Sequence, residues 1–244
     1  VGETIGVSPG AMVIAHRAGD HPDLLAEAAA EADVLEADVR LFHGRLEIRH
    51  AKSIGPVPVL WEKWHLVERT RPPLLLEELL AAMPAEAGLV LDLKGPDPRM
   101  ARRVLRATAE WRASRPLLVC GRVWRTVDRM RGHAGVRTFH SAGSPRQLRA
   151  LLRRPPRSLE GASVDRRLLT RALVEEIRAH TPALWAWGVD DAETASELAA
   201  WGVTGMISDH PGALRNPTKR QSASGEPPTT ARQSRGESAG EAER

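Results

Sequence analysis

The sequence predicts an α/β protein, a (β/α)8 TIM barrel, and three observations carry that prediction. Apolar runs of strand length alternate with helical stretches along most of the chain, the pattern of a parallel sheet with right-handed crossovers. Eight such runs are present in 244 residues, the number that closes a barrel and close to its usual size of roughly 250 residues. No Gly-x-Gly-x-x-Gly follows the first run, so the alternative of a doubly wound open sheet lacks its dinucleotide signature.

Each element follows from local chemistry. Residues 1–10 contain Gly and Pro and read as a lead-in, Ala11–Ala15 is the first strand, and Pro22–Glu31, rich in Ala and Leu, is a helix. Val34–Val39 is the second strand, Leu41–Gly44 a turn, and Leu46–His50 an extension that runs antiparallel or continues the sheet. Residues 51–74 carry Pro56, Pro58, Pro72 and Pro73 with Trp61 and Trp64, and are expected to form a loop with little regular structure. Leu75–Met83 is a short helix, after which the rhythm is regular. The strands are Gly88–Leu93, Leu117–Cys120, Val136–His140, Leu159–Val164, Ala183–Trp187 and Gly205–Ser208. Between them lie helices over Pro98–Trp111, Arg122–Gly132, Pro145–Arg153, Arg167–His180 and Ala192–Trp201. The barrel domain is expected to span 1–215. From 216 to 244 the chain is almost devoid of apolar residues, and a disordered tail is expected because it cannot offset its ordering entropy.

Composition excludes several function classes. Hydrophobic residues make up 42% and charged ones 27%, enough to bury a sizeable core. The net charge of +4 comes from Arg residues spread along the chain and opposed by Asp and Glu, and Tyr is absent. Nucleic acid is therefore not expected as a partner, whereas a modest positive field favours a small anionic substrate. The single cysteine, Cys120, excludes an internal disulfide and a cysteine zinc cluster. It sits in an apolar run and reads as a small core residue. No run approaches the ~20 apolar residues of a transmembrane helix, and the N-terminus lacks a signal-peptide pattern, so the cytoplasm is the expected compartment.

In a barrel the functional groups gather at the C-terminal ends of the strands. His16 and Arg17 follow strand one, Glu36 and Asp38 end strand two, and Asp92 and Lys94 end strand three; Asp190, Asp191 and Asp209 follow strands seven and eight. Residues two apart on a strand share a face, so Glu36 and Asp38 point one way, as do Asp92 and Lys94. Carboxylates a few ångströms apart repel unless a cation lies between them. Glu36, Asp38 and Asp92 are thus candidate ligands of Mg2+ or Ca2+, hard ions that prefer oxygen. His16 and His50 are candidate acid–base groups. Arg17 offers a fork to phosphate oxygens and Lys94 a point charge. Trp187 either walls the pocket or packs in the core, and His140 either packs or belongs to the site.

These pieces resemble the glycerophosphodiester phosphodiesterase family. The resemblance rests on His16-Arg17, Glu36-x-Asp38, His50, Asp92-x-Lys94, Trp187-Gly-Val-Asp190 and the run from Gly202 through Asp209 to Pro211, and it covers residues 11–214. It implies a metal-dependent barrel that cleaves glycerophosphodiesters to glycerol 3-phosphate and an alcohol. Carried over, His16 and His50 are the acid–base pair, Glu36, Asp38 and Asp92 the metal ligands, and Arg17 and Lys94 the phosphate contacts. One His would activate the neighbouring glycerol hydroxyl, giving a cyclic phosphate that water opens. The chain has Ala51 where the family has Asp after the second His, and Asp92 where the family has Glu. Asp92 and the short spacing from His50 to it also resemble the sphingomyelinase D-type phospholipases. That likeness implies a lyase that leaves a cyclic phosphate from lysophospholipids. A non-catalytic barrel binding phosphorylated ligands is the third alternative.

Overall fold

The computed structural model describes residues 11–53, 59–62, 65–68 and 72–215; the lead-in and the expected tail lie outside them. The chain opens with β1 (Met12–Ala15), a 3-10 turn over Ala18–Asp20, a second over Pro22–Leu24 and α1 (Leu25–Glu31). Next come β2 (Val34–Phe42), β3 (Arg45–Ile48), β4 (Lys52–Ser53), β5 (Val59–Glu62), β6 (His65–Glu68), β7 (Leu74–Leu75) and α2 (Leu76–Ala82). The remainder alternates: β8 (Gly88–Lys94), α3 (Met100–Ala107), α4 (Ala109–Ser114), β9 (Leu117–Gly121), α5 (Trp124–Asp128), β10 (Val136–Ala142) and α6 (Pro145–Leu152). It ends with β11 (Gly161–Asp165), α7 (Arg171–His180), β12 (Leu184–Trp187), α8 (Ala192–Trp201), β13 (Gly205–Ser208) and α9 (Pro211–Arg215).

Eight parallel strands run in the order β1-β13-β12-β11-β10-β9-β8-β2, and β1 also pairs with β2, so the sheet closes. This is the TIM barrel expected from the sequence. Helix starts follow side-chain chemistry: Ser144, Thr170 and Asp191 accept from the backbone N–H of Gln147, Leu173 and Thr194 to cap α6, α7 and α8. Gly202 ends α8 in the left-handed region, φ 106°. Among the described residues no helix is long and apolar enough to cross a membrane.

Four boundaries depart from expectation. β2 continues past Val39 because Arg40, Leu41 and Phe42 pair antiparallel with β3, so the turn shrinks to His43 and Gly44. Both have positive φ, 46° and 81°, the geometry of a two-residue hairpin that matches strand twist. The stretch 51–74, expected as loop, contains the antiparallel sheet β4-β5-β6, and β7 adds to β3. Val59-Leu-Trp-Glu62 and His65-Leu-Val-Glu68 have strand-forming composition and contain no proline. The single helix expected over 98–111 is two, α3 and α4, meeting at Thr108, whose hydroxyl bonds back to the Val104 carbonyl at 2.8 Å. The helix expected over 122–132 is only α5.

The barrel interior is narrow and filled by Ile14, Val34, Val90, Leu118, Cys120, Phe139, Trp185 and Ile207. Cys120 is a core residue, as expected, and burial pushes its thiol up. Phe139 and Trp185 stack with centroids 3.4 Å apart and planes 16° from parallel. Two glycines make room for them. A Cβ at Gly161 would lie 2.1 Å from Phe139, and one at Gly205 would lie 2.4 Å from Trp185.

His140 belongs to the packing of the outer layer. Its Nε2 lies 2.8 Å from Asp128 Oδ1, and Arg154 clasps the same carboxyl at 3.1 and 3.0 Å while its guanidinium lies 5.1 Å from the centre of Trp124. Burial holds the His140 imidazole below its ordinary value of 6.5 despite Asp128.

Two predictions follow from this packing. Gly161→Ala and Gly205→Ala each lower stability by about 1–3 kcal/mol through overpacking, read from urea unfolding, and pairing Gly161→Ala with Phe139→Leu recovers part of the loss. The unfolded chain protonates His140 below 6.5 whereas the folded chain resists. Its stabilising contribution is therefore present above that pH and is lost as pH falls. Between about pH 7.5 and pH 5.5 the unfolding midpoint should fall less steeply in His140→Gln than in wild type; equal slopes would contradict the assignment.

Candidate active site

The C-terminal rim of β2 and β8 carries a cluster of charged side chains. The strands pair in register, Asp38 opposite Asp92 and Arg40 opposite Lys94, so alternation brings Glu36, Asp38 and Asp92 together with ligand oxygens all within 4.8 Å of one another. Glu36 and Asp38 are buried. Lys94 Nζ lies 2.8 Å from Asp38 Oδ1 and also contacts Asp92 Oδ2. The adjoining turn contributes as well. Arg17 stands in the left-handed region, φ 56°, and its backbone N–H donates to Glu36 Oε2 at 2.6 Å. Its Nε donates to Asp20 at 3.2 Å and lies 3.9 Å from Asp38 Oδ2.

One ammonium among three carboxylates leaves negative charge in excess. Burial, then repulsion from Asp38, pushes Glu36 well above the usual carboxylate range. Asp38 is also pushed up by burial, but Lys94, with a contribution from His50, outweighs this and holds it low. For Lys94, Asp92 and Asp38 outweigh burial and hold the ammonium charged. Asp38 Oδ2 and Asp92 Oδ1 are buried without a hydrogen-bond partner. Buried acceptors left open, next to a carboxyl that ionises with difficulty, are the donor set that a hard divalent cation fits.

Both histidines stand at this spot. His16 follows β1, and its Nδ1 lies 2.6 Å from Asp209 Oδ1. A carboxylate on Nδ1 fixes the ring and directs Nε2 toward chemistry. Asp209 is itself placed by Asp190, whose Oδ1 accepts from the Asp209 N–H at 2.9 Å and from Ser208 Oγ at 3.0 Å. Gly188 makes that turn possible with φ 76°, and the N–H groups of Gly188 and Val189 donate to the Ile207 carbonyl. The two C-terminal sequence motifs are therefore two halves of one support for His16. His50 follows β3, where Arg40 Nε and Nη2 hold its carbonyl at 3.0 and 2.8 Å, and the Arg49 N–H donates to the Asp38 carbonyl at 2.8 Å.

A cavity of about 1340 Å3 opens over the cluster, bordered by His16, Glu36, His50, Asp92, Lys94 and Trp187 among others. Asp38 and Arg17 lie behind this lining, Asp38 fully buried and Arg17 turned toward acids. Two contributors, Asp20 and Arg122, escape a reading by strand ends. Asp20 accepts from the Asp38 N–H at 3.1 Å as well as from Arg17, and burial, with repulsion from Asp38, pushes its carboxyl up to about 6. Its signal is only an Asp four residues beyond His16. Asp209 and Asp190 stand at expected positions, but their link to His16 is visible only in three dimensions. Arg122 borders the cavity next to Trp187 and has no motif around it.

The model of the glycerophosphoryl diester phosphodiesterase family matches residues 97–213. The matched stretch begins just after β8, so the carboxylate cluster and both histidines precede it. No curated protein matches the sequence. Among solved structures, a phosphodiesterase from Oleispira antarctica in complex with the product sn-glycerol-3-phosphate is similar at 17% identity and TM-score 0.67, over 84% of this chain and 95% of that one. A glycerophosphodiester phosphodiesterase from Parabacteroides distasonis is similar at 18% identity and TM-score 0.65, over 86% and 98%. One from Agrobacterium tumefaciens is similar at 15% identity and TM-score 0.57, over 84% and 97%. These likenesses show the barrel fold. The family model places a glycerophosphoryl diester phosphodiesterase domain over residues 97–213 of this TIM barrel.

Proposed function

We propose that the chain is a metal-dependent phosphodiesterase that hydrolyses glycerophosphodiesters to glycerol 3-phosphate and an alcohol. The observation that carries this reading is the trio Glu36, Asp38 and Asp92, the first two buried, with open acceptor atoms, flanked by a histidine that contacts Asp209. The family match on the rest of the barrel and the Oleispira relative's product complex support the same chemistry.

Glu36, Asp38 and Asp92 would hold Mg2+ or Ca2+, which when bound neutralises charge on a non-bridging phosphoryl oxygen. Lys94, at the cavity wall, adds positive charge to the phosphate, and Arg17 keeps Asp20 and the carboxylates in place while contributing its own field. His16, with Nδ1 on Asp209, has Nε2 for proton transfer. His50, which also borders the cavity, serves the other end of the phosphate. One imidazole takes the proton of the glycerol hydroxyl next to the phosphate, which is favourably placed because it is tethered. The other gives a proton to the departing alcohol oxygen. Water then opens the cyclic phosphate with the roles reversed.

Glycerophosphocholine or glycerophosphoglycerol should be turned over with Mg2+ or Ca2+ and not in EDTA. His16→Ala and His50→Ala each lower kcat about 10²–10⁴-fold while thermal unfolding stays close to wild type. Undiminished turnover in EDTA, or in His16→Ala, rejects the mechanism. Asp209→Asn should lower kcat by less than His16→Ala, because it acts through ring orientation. Asp92 in the place of Glu favours one other outcome, a lyase; phosphorus NMR separates the two by showing either the monoester or a lasting cyclic phosphate.

A further inference from the structure

We propose that Arg122, Gly143 and Trp187 form a specificity wall that favours substrates whose alcohol arm is anionic or an uncharged polyol and disfavours a quaternary-ammonium arm. The proposal rests on the phosphodiesterase reading and names the substrate class within it. The three residues stand at the ends of different strands: Arg122 after β9, Gly143 after β10 and Trp187 closing β12. Arg122 and Trp187 both border the cavity over the carboxylate cluster.

The wall is built closely. Arg122 Cζ lies 5.1 Å from the centre of the Trp187 ring, within the range of a cation–π contact. A Cβ at position 143 would lie 2.8 Å from Arg122 Nη2 and 3.1 Å from Trp187 Cζ2, so glycine is what lets the guanidinium and the indole meet there. An aromatic face is the usual seat for a trimethylammonium group. Here a guanidinium already takes that seat, and its charge repels a second cation.

Among the described residues, the carboxylates that border the cavity away from Arg122 already have polar partners. Glu36 accepts from the Arg17 N–H, Asp92 pairs with Lys94, Asp97 with Arg99 and Asp209 with His16. Arg122, by contrast, forms no ion pair with a carboxylate among the described residues; Asp165, whose carboxyl feels its charge, is clasped by Arg167 at 3.0 and 2.7 Å. A planar guanidinium seated against an indole is suited to bidentate contact with carboxylate or phosphate oxygens.

The test compares kcat/KM for three diesters that share the glycerophosphate half: glycerophosphoglycolate, glycerophosphoglycerol and glycerophosphocholine, with Mg2+ present. The glycolate and glycerol diesters should exceed the choline diester by at least about tenfold, the size expected of one close, partly solvated charge contact. Most of the difference should lie in KM. Arg122→Glu should invert the glycolate-to-choline ratio, and Arg122→Gln, which keeps hydrogen bonds and loses the charge, should narrow it. A wild-type preference for choline, or a ratio unmoved in both variants, overturns the proposal. Turnover of none of the three overturns the enzyme reading instead. In that case calorimetry with 2-phosphoglycolate and phosphocholine decides the wall by itself: tighter binding of 2-phosphoglycolate, weakened in Arg122→Gln, supports it, and equal binding overturns it.

Discussion

Three carboxylates crowded at the rim of two adjacent strands are the constraint on which the rest of the site depends. Such a group is costly to bury unless positive charge compensates it, and the chain supplies that charge in layers. Lys94 stands between Asp38 and Asp92, the Arg17 N–H caps Glu36, and Asp20 secures both Arg17 and the Asp38 backbone. The compensation remains incomplete, as Glu36 and the two open acceptor atoms show. The fold holds a cluster that is stable enough to form yet is best satisfied by one more cation.

Parallel strands make such a cluster simple to encode. Alternation sends Val34 and Val90 into the apolar floor of the barrel and lifts Glu36 and Asp92 to the cavity above it. One strand thus carries both core and chemistry, divided by height. β12 and β13, which lie beyond β1, contribute position: Gly188 turns the chain, Asp190 holds Asp209, and Asp209 holds His16. A defect at Asp190 would therefore be felt at an imidazole on β1.

Much of this was legible in the sequence because it depends on period and order. The eight strands, the shared face of Glu36 and Asp38, the pairing of Asp92 with Lys94 and the burial of Cys120 all follow from alternation. What escaped depends on contacts between distant segments. His140 ends an apolar strand as a site residue would, yet it faces the outer layer because Asp128 and Arg154 lie there. The sheet β4-β5-β6 was obscured by nearby prolines that outweigh short strand signals in any local reading. Asp20 and Arg122 stand in turns whose direction is set by backbone angles and by neighbours far along the chain, and no spacing rule reveals them.

The ring stack at the bottom of the barrel carries a consequence for how such a chain can change. Phe139, Gly161, Trp185 and Gly205 lie on four different strands but occupy one shared volume. A methyl group gained on one strand has to be matched by a ring lost on another, so drift at these positions is correlated across the barrel and slow. Rim contacts such as His16–Asp209 and Arg122–Trp187 join long side chains at the cavity, which have room to move aside. Divergence of the mouth can therefore outpace divergence of the base, and new substrates can be acquired above a floor that keeps its shape.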